Sequence, residues 1–246
     1  MQRRILHDMI GQDAKKGMRL GPLWCFMRDD LLGLVLSLGF IGLVLFASGQ
    51  IASRLGLSGE ALRKMVHIGV SNWWLIAGQF FHSPWLAAAV PALFIVVNAI
   101  PERLPPLKTL QNITDKTRKG TVYYPISLAI LALLCFGPLK SPALGAFGVL
   151  CMGYGDGLAA VIGQRLGKRR FRVFGAEKSV AGCAAMLLVS LLACYFTAFF
   201  YGLAVPPYIP AILAVFALIL ELFTPFGLDN LTVPLGVTAL AFALVH

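Results

Sequence analysis

The sequence predicts an all-α, polytopic membrane bundle of about seven or eight transmembrane segments. Three observations lead there. Of the 246 residues 58% are hydrophobic, only 13% are charged, and several apolar stretches approach the length of a bilayer crossing. A soluble domain carries about 25% charged residues, and a helical span needs about 20 apolar ones. Residues 1–30 mix basic, acidic and apolar side chains and are expected to form an extramembrane or interfacial segment. A single transmembrane catalytic domain is expected over 31–246. The start MQRR leads into mixed polar residues, so no signal peptide is expected there.

The first strong span is 31–52, LLGLVLSLGFIGLVLFASGQIA, uninterrupted by charge. The polar turn LSGEALRKMVH follows, then spans at about 66–81 and 84–100. After the loop PERLPPLKTLQNITDKTRKGT come spans at about 122–137, 141–163, 179–201, 206–223 and 230–245. Basic residues concentrate in every second connection: Arg54, Arg63 and Lys64; then Arg103, Lys108, Lys116, Arg118 and Lys119; then Arg165, Lys168, Arg169, Arg170, Arg172 and Lys178. The excess of lysine and arginine marks cytoplasmic loops. Parity places 221–230 on that side and the nearly uncharged connections near His82, Lys140 and 201–208 on the other. Residues 1–30 break the pattern, carrying six basic side chains against four aspartates. Either the first apolar stretch does not fully cross, or the N-terminus is translocated despite its charge.

The five cysteines sit in or near apolar segments without the spacing of a zinc site or a disulfide framework, so packing is their expected role. The net charge of +10 fits cytoplasmic loops or an anionic ligand, and no nucleic-acid motif accompanies it.

Parity gathers four polar clusters on one face: EALRKMVH at 60–67, TDKTRKGT at 114–121, the stretch 153–179, and ELFTPFGLDN at 221–230. Asp156 and Asp229 stand within or beside spans, where an ionisable group is expensive and by default functional. Cations beside isolated carboxylates suit a nucleotide: the cations hold phosphates and the carboxylates hold Mg²⁺. Gly155, Ala159, Gly163 and Gly167 recur every fourth residue and form a helix face of minimal bulk, suited to helix packing or to close approach of a ligand. Lys168, Arg169 and Arg170 read either as an interfacial anchor or as part of a phosphate site. Lys178-Ser179, after Gly175, resembles a turn presenting a lysine at a helix start; the serine serves a phosphate or caps the helix. His67 shares a helix face with Arg63 and Lys64, and Asn72 inside a span calls for a partner.

In order, LRKMVHIGVSN (62–72), KGTVYYPIS (119–127), GYGDGLAAVIGQRLGKRRF (153–171), EKSVAGCAAM (177–186) and LDNLTVPL (228–235) resemble the motifs of the polyprenol kinase family. That family comprises dolichol, phytol and farnesol kinases and a CTP-dependent diacylglycerol kinase. Lys178, Ser179, Ala181 and Gly182 are similar to the phytol kinase branch. Glu177, Ala181 and Cys183 depart from the dolichol kinase motif. The resemblance implies CTP-dependent phosphorylation of a lipid alcohol at the cytoplasmic membrane face. It puts Asp156 and Lys178 in the CTP-binding region and matches Arg63, Lys64, Asp229 and Asn230 to the other polar motifs.

The expected enzyme is therefore a kinase of a phytol-, farnesol-, geranylgeraniol- or polyprenol-type alcohol, with CTP as donor and Mg²⁺ as cofactor. Its partners are the lipid alcohol, CTP and membrane lipids, without nucleic acid. Asp156, Asp229 and Lys178 are the catalytic candidates, the two aspartates as metal ligands. Arg63, Lys64, Lys119, Gly155, Gly163, Gly167, Lys168, Arg169, Arg170, Ser179 and Asn230 are the nucleotide-binding candidates, with His67 and Asn72 as further polar candidates. Three alternatives remain on the same sequence: a CDP-diacylglycerol synthase-like cytidylyltransferase, a diacylglycerol kinase, and an ion-coupled transporter using Asp156. The single carboxylate in GLDN weighs against the first, and the lack of an internal repeat against the transporter.

Overall fold

The computed structural model describes residues 21–56, 59–99 and 115–245. The described chain is almost wholly helical. α1 (Gly21–Leu55) is followed by α2 (Gly59–Ser71), α3 (Trp73–Phe80), α4 (Pro84–Ala99) and α5 (Asp115–Phe136). α6 (Pro142–Leu150) passes through a π-helical stretch, Cys151–Asp156, into α7 (Gly157–Leu166). A hairpin of β1 (Arg170–Val173) and β2 (Ala176–Ser179) leads into α8 (Val180–Phe200), α9 (Tyr208–Phe223) and α10 (Asp229–Val245).

Among the described residues three helices are long and apolar enough to cross a membrane: Trp24–Leu55, Pro142–Leu166 and Val180–Phe200. Shorter apolar helices cover Pro84–Asn98, Gly120–Phe136, Tyr208–Phe223 and Asp229–Val245. Three segments thus have the length of a crossing, and the rest of the expected seven or eight rest on the shorter ones. Residues 21–30, expected outside the first span, are the opening turns of α1. Nothing between Gly21 and Leu31 breaks a helix after Pro22, which sits where a missing N–H costs least. The remainder of the N-terminal segment, residues 1–20, lies outside the described residues, as does most of the loop before α5.

The α6–π–α7 helix is the hub. Every residue of α6 from Ala143 to Leu150 is buried. Trp73 and Trp74 pack beside it, and the Trp74 indole N–H donates to the Pro142 carbonyl at 2.8 Å. Gly148 lies against the Pro234 backbone and the Thr238 hydroxyl, so α6 and α10 approach closely where a side chain would hold them apart. α1 is pinned along its length. The Trp73 indole donates to Ser37 Oγ at 2.8 Å, and buried Asp30 accepts from the backbone N–H groups of His82 and Ser83 at 2.7 and 3.2 Å. A buried carboxylate in the opening turns of α1 thus satisfies the α3–α4 turn.

The expectation of a purely α chain needs one correction. The basic run after α7 is an antiparallel hairpin with Arg170 opposite Ser179 and Val173 opposite Ala176. The alternation Arg170, Phe171, Arg172, Val173 has the period of a strand, and Phe174-Gly175 closes the two-residue turn with φ of 47° and 81°. Charge density drew attention from that alternation.

Candidate active site

The polar ends of α2, α7, β2, α8, α9 and α10 enclose an open cavity of about 410 Å³. Its volume falls within the range of small-molecule sites, roughly 300–1,000 Å³. Four basic side chains line it: Arg63, Lys64, Arg170 and Lys178. Five carboxylates face them: Glu60, Asp156, Glu177, Glu221 and Asp229. Among the described side chains the lining is therefore net negative by one charge when all nine are ionised.

Most of these charges are already paired. On α2, one turn separates Glu60 from Arg63, and the two form a fork: Arg63 Nη2 donates to Glu60 Oε1 at 2.6 Å and Nε to Oε2 at 3.1 Å. The next residue, Lys64, forms a buried ion pair with Asp156. Asp156 ends the π-helical stretch, whose wider turn offsets the side chains of α7 from those of α6. Gly153 and Gly157 face Ser71 and Ile68 of α2, which brings Asp156 against Lys64. Lys178 on β2 pairs with Glu221 at the end of α9 and also donates to the Glu221 carbonyl at 3.3 Å. Burial works against the Lys178 charge, but the Glu221 carboxylate outweighs it and holds Lys178 above the usual lysine range. Arg170 bridges to Glu177 across the hairpin at 2.9 Å, largely in solvent.

Asp229 differs. Its Oδ1 accepts from the backbone N–H and the side-chain amide of Asn230 at 3.0 and 2.9 Å, and among the described residues no cation pairs with it. Asn230 is fully buried beneath and donates to the Gly227 carbonyl at 3.0 Å. Gly120 on α5 leaves room for this layer, because a Cβ there would stand 2.9 Å from Arg63 Nη1 and 3.0 Å from Asn230 Nδ2.

Eight of the sequence candidates line the cavity: Arg63, Lys64, Asp156, Gly163, Arg170, Lys178, Ser179 and Asp229. The others lie elsewhere. Gly155 faces Ser190 and Met186 of α8, and Gly167 faces Ser179, so the four-residue glycine face seats α7 on α8. Lys168 and Arg169 are exposed at the mouth of the hairpin. Asn230 orients Asp229 from below. His67 is buried and stacked on Tyr124 at 4.6 Å between ring centroids. Asn72 donates to the Ile68 carbonyl and accepts from the Tyr154 hydroxyl at 2.9 Å, which satisfies an amide inside the bundle. Lys119 belongs to the first turns of α5, and its side chain lies outside the described residues. Ser179 caps α8, accepting from the Gly182 N–H at 3.1 Å. The start of this 21-residue helix, with Gly182 and Cys183, faces the cavity and offers the positive end of its dipole to an anion.

Glu60 and Glu221 were not singled out from the sequence. Glu221 in ILELF is, like Asp156, a carboxylate in an apolar segment. Glu60 is legible only as the residue three before Arg63 on one helix.

No three His, Cys, Asp or Glu side chains form a preformed metal cage among the described residues. Mg²⁺ does not need one. Beside a polyphosphate it keeps several waters and takes one or two carboxylates plus phosphate oxygens. Asp156 and Asp229, on the same cavity, fit that requirement, and the negative balance of the lining favours a divalent cation with any anionic ligand.

Comparison with known proteins gives a consistent picture. The chain is 35% identical over 225 residues to a phytol kinase of Synechocystis, covering 90% of this chain and 92% of that one. It is 28% identical to a probable chloroplastic phytol kinase of Glycine max, over 75% of this chain and 67% of the other. A chloroplastic farnesol kinase of Arabidopsis thaliana is 27% identical over 72% of this chain and 62% of its own length. No protein-family model matches, and no solved structure does.

Proposed function

The chain belongs to the polyprenol and phytol kinase family, and from that premise we propose that it is a membrane-embedded kinase transferring the γ-phosphate of CTP to the hydroxyl of a prenyl alcohol. The observation that carries the reading is the convergence of Arg63, Lys64, Arg170 and Lys178 with Asp156 and Asp229 on one cavity, from elements far apart in sequence. CTP as donor follows from the family resemblance.

In this reading Arg63, Lys64, Arg170 and Lys178 exchange their carboxylate partners for phosphate oxygens. The α8 N-terminus receives part of the triphosphate charge. Asp156 and Asp229 would hold Mg²⁺, which supplies neutralisation of the β- and γ-phosphate oxygens when bound. The alcohol approaches from the apolar side with its hydroxyl in line with the γ-phosphorus. Its oxygen bonds to phosphorus as the bond to the β-phosphate bridging oxygen breaks, and the hydroxyl proton passes to a phosphoryl oxygen or to water, leaving CDP and a prenyl phosphate. A loose phosphoryl-transfer transition state needs alignment and charge stabilisation more than a strong base. The cavity faces the cytoplasm by the distribution of basic loops, and the shorter helices complete seven or eight crossings.

The deciding experiment follows two labels in CTP with purified protein in detergent or vesicles. Label from the γ-phosphate is expected to enter the lipid fraction with a prenyl alcohol as acceptor, while label in the cytosine ring stays in water. Cytosine label in lipid, with phosphatidic acid as acceptor and pyrophosphate released, would make the protein a cytidylyltransferase. Transfer of γ-label to diacylglycerol but not to prenyl alcohols would make it a diacylglycerol kinase. Proton or ion flux without CTP turnover would make it a transporter.

A further inference from the structure

Two turns of the same unusual construction stand beside the cavity. Phe174-Gly175 closes the hairpin, and Phe226-Gly227 joins α9 to α10. In each, both central residues have positive φ: 47° and 81° in the first, 63° and 81° in the second. The second is closed by the Leu228 N–H donating to the Pro225 carbonyl at 3.3 Å. Turns of this kind favour Asn-Gly or Asp-Gly, and a bulky residue at positive φ is an outlier that costs free energy. The rings recover little by burial, since Phe174 is 65% and Phe226 71% exposed. Neither folding nor turn chemistry accounts for phenylalanine at both first positions.

Position supplies the account. Phe226 and Gly227 line the cavity, as does Ala176, directly after the first turn. The Phe174 ring meets the Phe223 ring edge to face at 6.1 Å, and Phe223, 56% exposed, lies one turn before Phe226. The hairpin tip and the α9–α10 connection together present three exposed phenyl rings at the rim of a charged pocket. Resting on the kinase reading above, we infer that Phe174, Phe223 and Phe226 hold the apolar chain of the acceptor alcohol where it leaves the cavity. A hydroxyl that must reach the phosphate drags its hydrocarbon to this rim. Strained turns fix the rings there before the substrate arrives, so less ordering is left to the binding step.

Asparagine makes the test clean. Phe174→Asn and Phe226→Asn remove the rings yet install the residue that each turn prefers, so thermal stability should hold or rise. The measurement is kcat/KM for geranylgeraniol divided by kcat/KM for prenol, its five-carbon counterpart. Losing burial of one ring against the long chain should lower that ratio about tenfold per variant. Phe174→Leu and Phe226→Leu should restore part of it. An unchanged ratio would overturn the inference, including one that hides an equal loss on both alcohols, the signature of a membrane anchor. A photoreactive diazirine placed along a prenyl alcohol gives a second readout independent of turnover. Adducts at the three rings are expected, and adducts confined to other helices would overturn the proposal. If the wild-type protein phosphorylates no alcohol, the kinase reading fails and the adduct pattern alone decides on the rim.

Discussion

Asp156 has two demands on it: its ion pair with Lys64 inside the bundle and its proposed place beside the phosphates. The two separate by mutation. Asp156→Asn should abolish turnover, by about a hundredfold or more as for loss of a group that stabilises transition-state charge. It should also lower thermal stability, because breaking a buried pair leaves an uncompensated charge, at a cost of about 3–5 kcal/mol. In Lys64→Met/Asp156→Asn the stray ammonium is gone, so Tm should recover, while turnover, now lacking the proposed phosphate ligand Lys64 as well, should stay lost. Activity recovering with stability would remove Asp156 from the chemistry. Asp156 itself was legible in the sequence, since a carboxylate among glycines and alanines needs a reason. Its partner was not, because 92 residues separate the two and only folding shows which cation the carboxylate meets. Glu221 lies inside the expected span 206–223 but also opens the polar cluster 221–230, which hides a carboxylate within an apolar helix. Asn72 is satisfied by the Ile68 carbonyl and the Tyr154 hydroxyl, whereas His67 stacks on Tyr124 with its buried Nδ1 left without a hydrogen-bond partner among the described residues.

At the scale of elements, the contact of α7 with α8 sets the cavity floor. A Cβ on Gly163 would stand 2.8 Å from Ser179 Oγ and 3.4 Å from the Gly182 Cα. Gly163→Val should therefore wedge the helices apart and destabilise by about 1–3 kcal/mol, read as a lower Tm. Gly39→Ala, where nothing lies within 4 Å on α1, should stabilise by up to about 1 kcal/mol. Equal behaviour of the two variants would contradict the packing described. The apolar bodies of the helices were legible, because long apolar runs bounded by polar turns leave a chain few alternatives, but the polar first turns of α1, α2 and α5 read as extramembrane segment, turn and loop. The hairpin was not, because four-residue strands carry too few alternating positions to stand out from a run of arginines. The π-helical stretch was equally hidden, since one extra residue in a turn leaves no compositional trace.

For the whole molecule, the decisive matter is whether the elements around the cavity share one side of the membrane. Single cysteines replacing Arg170 and Leu228 in a cysteine-free background should react with an impermeant reagent from the cytoplasmic side. One replacing His82, at the opposite end of α3, should react only from the other side. Arg170 and Leu228 reacting from opposite sides would dismantle the cavity. The pairing of Glu60 with Arg63, Lys64 with Asp156 and Lys178 with Glu221 has a kinetic consequence for the same assembly. Each lining cation is already paired with a carboxylate, and of the lining carboxylates Asp229 alone has no cation partner among the described residues. In the proposed reading an arriving nucleotide displaces those partners, and a departing one hands the cations straight back. Glu221→Gln should then tighten CDP binding in calorimetry and slow its dissociation, turning a site built for release into one that retains its product.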